Sequence, residues 1–177
     1  MNDVVLRALE PEDYKVTHNW RLNDDASDTI VGLKRYVSLE TEKNWILQAI
    51  SNHENGKVFR FVICMEGEHK AVGLVTVSDI DLINKSCSIA NMVDPEYSGL
   101  GLGRKGLIMV IKYMMENLGI QRVSCKILEY NIASRKSASK VGMKEEGVLR
   151  QAIYKNGKFH DIVCYSILKD EFTPVDS

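Results

Sequence analysis

Met92-Val93-Asp94-Pro95-Glu96-Tyr97-Ser98-Gly99-Leu100-Gly101-Leu102-Gly103-Arg104-Lys105-Gly106 is the stretch on which the reading of this chain turns. An apolar run ends at Asp94-Pro95, a turn signal, and glycine then recurs at positions 99, 101 and 103. Leu107, Ile111, Met114, Met115 and Leu118 follow at helical spacing, with Lys112 and Glu116 on the opposite face and Gly119 at the stop. The order is strand, glycine turn, helix. Residues without a Cβ let successive backbone N–H groups converge on an anion, and a helix N-terminus adds partial positive charge. The stretch therefore reads as a pyrophosphate cradle, with a purely structural turn as the alternative. It is not the G-x-G-x-x-G of dinucleotide binders, and it lacks the Gly-Lys-Ser/Thr of a P-loop.

Upstream, Val4 to Leu9 reads as a first strand closed by Glu10-Pro11, where proline and two acidic residues start a helix through about Leu22. Asn23 to Asp28 is polar and turn-rich, and Thr29 to Val37 is a connection with no assigned structure. Ser38 caps a second helix, Leu39 to about Ser51, and Asn52 to Lys57 is loop. Strands at Val58–Met65, Ala71–Ile80 and Cys87–Val93 form an antiparallel meander. Downstream come a strand at Arg122–Leu128, a helix at Ala133–Val141, and strands at about Met143–Tyr154 and His160–Leu168. The last two are joined by the Asn156-Gly157 hairpin turn. Met1 to about Asn2 and Thr173 to Ser177 read as loose ends. The sum is a mixed α/β fold with a largely antiparallel sheet of about seven strands and about four helices. One parallel crossover falls where the long helix joins Val93 to Arg122.

The 177 residues suit one domain spanning 1–177, and the net charge of −1 implies no bulk attraction to nucleic acid or an anionic membrane. Cys64, Cys87, Cys125 and Cys164 are widely spaced within apolar runs, without metal-ligand or redox-motif spacing. They read as reduced, buried thiols, and no metal is expected. A polar N-terminus without a signal-peptide pattern, and no apolar stretch of spanning length, lead to a cytoplasmic expectation.

Three blocks carry a family resemblance. Ser98-Gly99-Leu100-Gly101-Leu102-Gly103 resembles the acetyl-CoA signature Gln/Arg-x-x-Gly-x-Gly/Ala of the GNAT acetyltransferases. Asn131-Ile132-Ala133-Ser134, with Lys140-Val141-Gly142-Met143 after it, resembles the family's Asn-x-x-Ser/Ala block ending in Lys-x-Gly-Phe. Glu146 to Arg150 and Asn156 to Asp161 resemble the ending of the branch with ribosomal-protein N-terminal, amino-sugar and spermidine acetyltransferases. The resemblance covers nearly the whole chain and implies the GNAT fold and N-acetyltransferase activity. Acetyl would pass from acetyl-CoA, the co-substrate, to a primary amine by direct nucleophilic attack. The acceptor would be a protein N-terminus, an amino sugar or a small amine, and a homodimer is left open.

The resemblance also implies roles. Backbone N–H groups of Ser98, Gly99, Leu100, Gly101, Leu102, Gly103 and Arg104 would hold the pyrophosphate. Met92 and Val93 would pair with the pantetheine arm, and a backbone N–H there would stabilise the oxyanion. Asn131 would bond a pantetheine amide, or cap the helix after it, or both. Lys136, in a basic cluster with Arg135 and Lys140, would meet a phosphate or simply face solvent. Ser134 is the candidate acid for the departing thiolate, against a bare helix-terminal hydroxyl, and His160 is a candidate base. Trp20, Arg21 and Trp45 match a pattern of the amino-sugar branch and are candidate acceptor contacts, core filling being the alternative for either tryptophan. The acidic Asp24, Asp25 and Asp28 could instead attract a polyamine or a basic protein N-terminus. Three departures stand out: Ser98 in the Gln/Arg slot, Ala138 where many members carry a tyrosine, and Ser88 where a general-base glutamate is common. The absent base and tyrosine encourage a rival reading, a non-catalytic acyl-CoA-binding regulatory module; a polyamine acetyltransferase stays a further alternative, although the spermidine-type members carry the tyrosine that Ala138 replaces.

Overall fold

The computed structural model describes residues 4–32 and 35–173. The ends read as loose fall largely outside these residues, as do positions 33 and 34. Seven strands form one sheet: β1 (Val4–Arg7), β2 (Phe59–Met65), β3 (Ala71–Asp81), β4 (Ser86–Val93), β5 (Arg122–Leu128), β6 (Lys144–Lys155) and β7 (Lys158–Leu168). Their spatial order is β1-β2-β3-β4-β5-β7-β6, antiparallel throughout except between β4 and β5. The helices are α1 (Tyr14–Leu22), α2 (Asp24–Thr29), α3 (Leu39–Glu54), α4 (Leu102–Asn117) and α5 (Ile132–Val141). The mixed α/β fold expected from the sequence, a largely antiparallel seven-stranded sheet with one parallel pairing, is the fold observed.

Alternation along β2 explains the layering. Ile63 packs into the cluster built on α4, with Val75, Val77, Ile89, Val110, Ile111 and Met114. Its neighbours Val62 and Cys64 face the other way, into a cluster with Trp20, Ile46 and Ala49 from α1 and α3. Burying each such side chain contributes roughly 1.5–3 kcal/mol, so both faces hold the sheet in place.

One element departs from the sequence reading. The stretch around Asn23–Asp28, read as turn, contains the six-residue α2. Asn23 is extended and breaks the chain from α1, and acidic residues at 24 and 25 favour a helix N-terminus. A helix this short is marginal alone. It is docked at its C-terminal end, where Tyr130 Oη donates to the Asp28 carbonyl at 2.8 Å and Asn156 Nδ2 to the Asp28 carboxylate at 3.2 Å.

Candidate active site

The parallel pairing of β4 with β5 lasts for three residue pairs only: Ser86 with Arg122, Cys87 with Val123 and Ser88 with Ser124. Beyond them the strands part. From Ile89 to Val93, β4 keeps β3 on one side, and its backbone groups on the other side face an open gap. A cleft of about 730 Å³ occupies that gap. Residues 89–93 of β4 form one wall and Cys125, Lys126 and Ile127 of β5 the other.

The glycine turn closes one end of this cleft, with Ser98, Gly99, Leu100, Gly101, Leu102, Gly103 and Arg104 all lining it. Gly101 is the N-cap of α4 at φ 77°, a left-handed conformation that side chains rarely adopt. Gly103 lets the helix approach β4, since a Cβ there would stand 2.7 Å from both Asn91 Nδ2 and Val93 Cγ2. The first N–H groups of α4, from Leu102 to Arg104, have no acceptor within the helix and open on the cleft. The Ser98 N–H is already spent on the Pro95 carbonyl at 3.1 Å, so it contributes wall rather than cradle. Arg104, Lys126, Lys136 and Lys140 line the cleft, and among the described residues no carboxylate or imidazole lines it. The arrangement attracts a polyanion. Lys136 and Lys140 share one face of α5, whereas Arg135 turns away to Tyr165 at 3.2 Å and Glu145 at 3.5 Å.

A family model for the acetyltransferase (GNAT) domain matches residues 3–144. The chain belongs to the GNAT acetyltransferase family. The SPbeta prophage-derived uncharacterized N-acetyltransferase YokL of Bacillus subtilis (strain 168) is 26% identical over 170 residues, 96% of this chain and 92% of that one. Among solved structures, the ribosomal L7/L12 alpha-N-protein acetyltransferase RimL in complex with coenzyme A superposes with a TM-score of 0.85. It is 24% identical and covers 95% of each chain. Spermidine N-acetyltransferase from Vibrio cholerae, in complex with CoA and spermine, gives a TM-score of 0.86 at 23% identity, covering 95% of this chain and 96% of that one. At these identities the two structures establish the shared GNAT fold.

The expected site residues of this GNAT chain fall into two groups. Met92, Val93, Asn131, Ser134 and Lys136 meet the glycine turn in the cleft. Asn131 is doubly engaged: its Oδ1 accepts from the Ser134 N–H at 3.1 Å, capping α5, and its Nδ2 donates to the Thr29 carbonyl at 3.0 Å. Ser134 stands in the first turn of α5 and faces the cleft.

His160, Trp20, Arg21 and Trp45 do not line the cleft. His160 is buried on β7, with Nδ1 3.1 Å from Glu129 Oε1 and its ring edge-on to Tyr130 at 4.8 Å. Packed in this way it is not positioned to take a proton in the cleft. Trp20 is 3% exposed and fills the core beneath α1. Arg21 pairs with the buried Glu42 at 2.5 Å and lies over the ring of Trp45, 4.7 Å from its centroid.

Two features of the site escaped the sequence reading. Thr29, Ile30 and Val31 form part of the cleft wall. Successive carbonyls from Asp28 to Ile30 accept from Tyr130, Asn131 and Lys155, the last at 2.9 Å. These donors lie 102 to 125 positions away along the chain, beyond any local signal. Cys125 also lines the cleft, its thiol pushed up to about 12 by burial and then by Cys164.

Proposed function

We propose that this protein transfers acetyl from acetyl-CoA to a primary amine by direct attack. The observation that carries the reading is the gap between β4 and β5, closed at one end by a glycine turn and lined by four cations without a carboxylate. A CoA molecule has complementary parts. Its pyrophosphate suits the N–H groups from Gly99 to Arg104, and Lys136 and Lys140 suit a further phosphate. Its pantetheine arm, a chain of amides, suits the unpaired edge of β4, where it would add as a short strand.

Within this reading the chain supplies orientation and charge rather than a covalent intermediate. A backbone N–H near Met92 and Val93 stabilises the carbonyl oxygen as the amine nitrogen bonds to the acetyl carbon. The carbon–sulfur bond then breaks, and Ser134, directly or through one water, gives a proton to the departing thiolate and recovers one from solvent. The amine loses its proton to solvent, since among the described residues no carboxylate or imidazole lines the cleft. Cys125 stays a thiol at neutral pH and makes a poor nucleophile, which argues against an acetyl-cysteine relay. Relatives named for spermidine and for a ribosomal protein make polyamines and protein N-termini both members of the test panel.

The missing base favours one alternative, a module that binds acyl-CoA without turning it over. Purified protein, acetyl-CoA and a panel of amines, followed with a thiol reagent, separate the two. Amine-dependent thiol release, with no acetylated protein by intact mass, is the expected result. Tight CoA binding with no release for any amine would overturn the enzymatic reading.

A further inference from the structure

Arg60 of β2 pairs with Thr76 of β3, and Thr76 pairs with Ala90 of β4, which lines the cleft. Directly paired residues project to the same face of a sheet, so the three form one row. Arg60 alternates with Phe61 and sides with Val62, whose face carries α1 and α3. Two strand spacings of about 5 Å put the Arg60 backbone on the order of 10 Å from Ala90. The row leads from the wall of the cleft to a cluster of side chains from α1, α3 and β2, centred on Trp45, which packs against the core on that face.

In that cluster two guanidiniums share one indole. Arg21 from α1 and Arg60 lie over Trp45, 4.7 and 5.2 Å from its ring centroid. Glu42, 1% exposed, is committed to Arg21 at 2.5 Å, and its other oxygen is buried without a hydrogen bond. Among the described residues no carboxylate pairs with Arg60, and its Nη1 is buried with no hydrogen-bond partner. Burial and then the like charge of Arg21 both disfavour the charge on Arg60. An uncompensated cation held half-buried is costly unless something brings an anion to it. Guanidinium on an indole is also well pre-organised to receive one, because stacking fixes the plane of the donors.

We propose that Arg60, with Arg21 and Trp45 in the same cluster, binds an oxyanion group of the acceptor. The acceptor is then a primary amine that carries a carboxylate or a phosphate at its far end, its amine lying at the cleft near Ala90. This assignment rests on the acetyl-transfer reading of the cleft and narrows it. It sets polyamines aside, since a second ammonium would meet two guanidiniums.

Two measurements on the intact protein test it. The first compares matched amines in thiol release: 6-aminohexanoate with 6-aminohexanamide, and phosphoethanolamine with ethanolamine, with spermidine alongside. The anionic member of one pair should be favoured in kcat/KM by about tenfold or more, the scale of one charge-assisted hydrogen bond. The favoured pair distinguishes carboxylate from phosphate. The ratio should fall to near one in Arg60→Ala and recover partly in Arg60→Lys. The second measurement needs no turnover: glutarate and inorganic phosphate are titrated while tryptophan fluorescence is read. A saturable change should appear in the wild type and vanish in Arg60→Ala, with CoA affinity and thermal midpoint matching the wild type. If Arg60→Ala is unstable, Arg60→Gln takes its place. Preference for ethanolamine or spermidine, an unchanged ratio in the variant, or no anion binding in the wild type would overturn the proposal while leaving acetyl transfer standing. Anion binding that depends on Arg60, with no amine acetylated, would instead break the acetyl-transfer reading and leave the site.

Discussion

The two halves of the molecule around the cleft are built in different ways. On the α4 side the walls are backbone: the open edge of β4, the glycine turn and the first turn of α4, contiguous from Ile89 to Arg104. Across the cleft the wall includes a docked segment, Thr29 to Val31, tied down by donors more than 100 positions away. A backbone site tolerates many side chains and fails when the approach is blocked. A docked site fails when any one tie is cut, and each tie is worth little alone. This difference predicts where substitutions act.

The largest effect belongs to the backbone half. Gly101→Asp adds a Cβ at φ 77° and a negative charge beside the cradle, and should weaken CoA binding by roughly a hundredfold, about 2.7 kcal/mol. Calorimetric CoA affinity like that of the wild type would refute the cradle. Ser134→Ala comes next. Turnover should fall roughly 100-fold, the lower end of the scale of general acid catalysis, with CoA affinity nearly unchanged. Equal activity would remove Ser134 from the chemistry and leave it a helix-terminal hydroxyl.

Smaller effects belong to the docked half. Tyr130→Phe and Lys155→Met each delete one tie to the 28–30 segment, about 1 kcal/mol of hydrogen bonding, so the acceptor KM should rise roughly fivefold. A change in CoA affinity of the same size would show that the two halves are not separable. Smallest is the acid response at the parallel junction, where Arg122 and then Ser166 hold the Glu146 carboxyl down at about 2. A depressed carboxyl stabilises the folded state above its unfolded value near 4.5, and that contribution is lost as pH falls from there towards about 2. Glu146→Gln should flatten this part of the pH–stability curve by under ~1 kcal/mol, because the pair is well exposed.

The strands, the four longer helices and the one parallel crossover were legible because each rests on a local period or turn signal. The β2–β4 meander and the Asn156-Gly157 hairpin are cases in point. The short α2 was not, since its stability comes from Tyr130 and Asn156 rather than from its own six residues. His160 had the chemistry of a base in sequence. Whether it could act there depended on its neighbours, and Glu129 and Tyr130 bury it. Asn131 shows both at once: its capping bond to Ser134 is local and foreseeable, and its bond to Thr29 is neither.

By itself, then, the sequence determined the glycine turn, the helix that follows it and the order of elements around them. Those depend on backbone freedom and on periods of 2 and 3.6 residues, which are properties of neighbours in the chain. Only the tertiary structure decided where β4 and β5 part, which carbonyls hold the 28–30 segment, and that Arg60 and Arg21 both lie over the ring of Trp45. Those depend on distances between residues far apart in sequence, and a linear pattern carries no record of them.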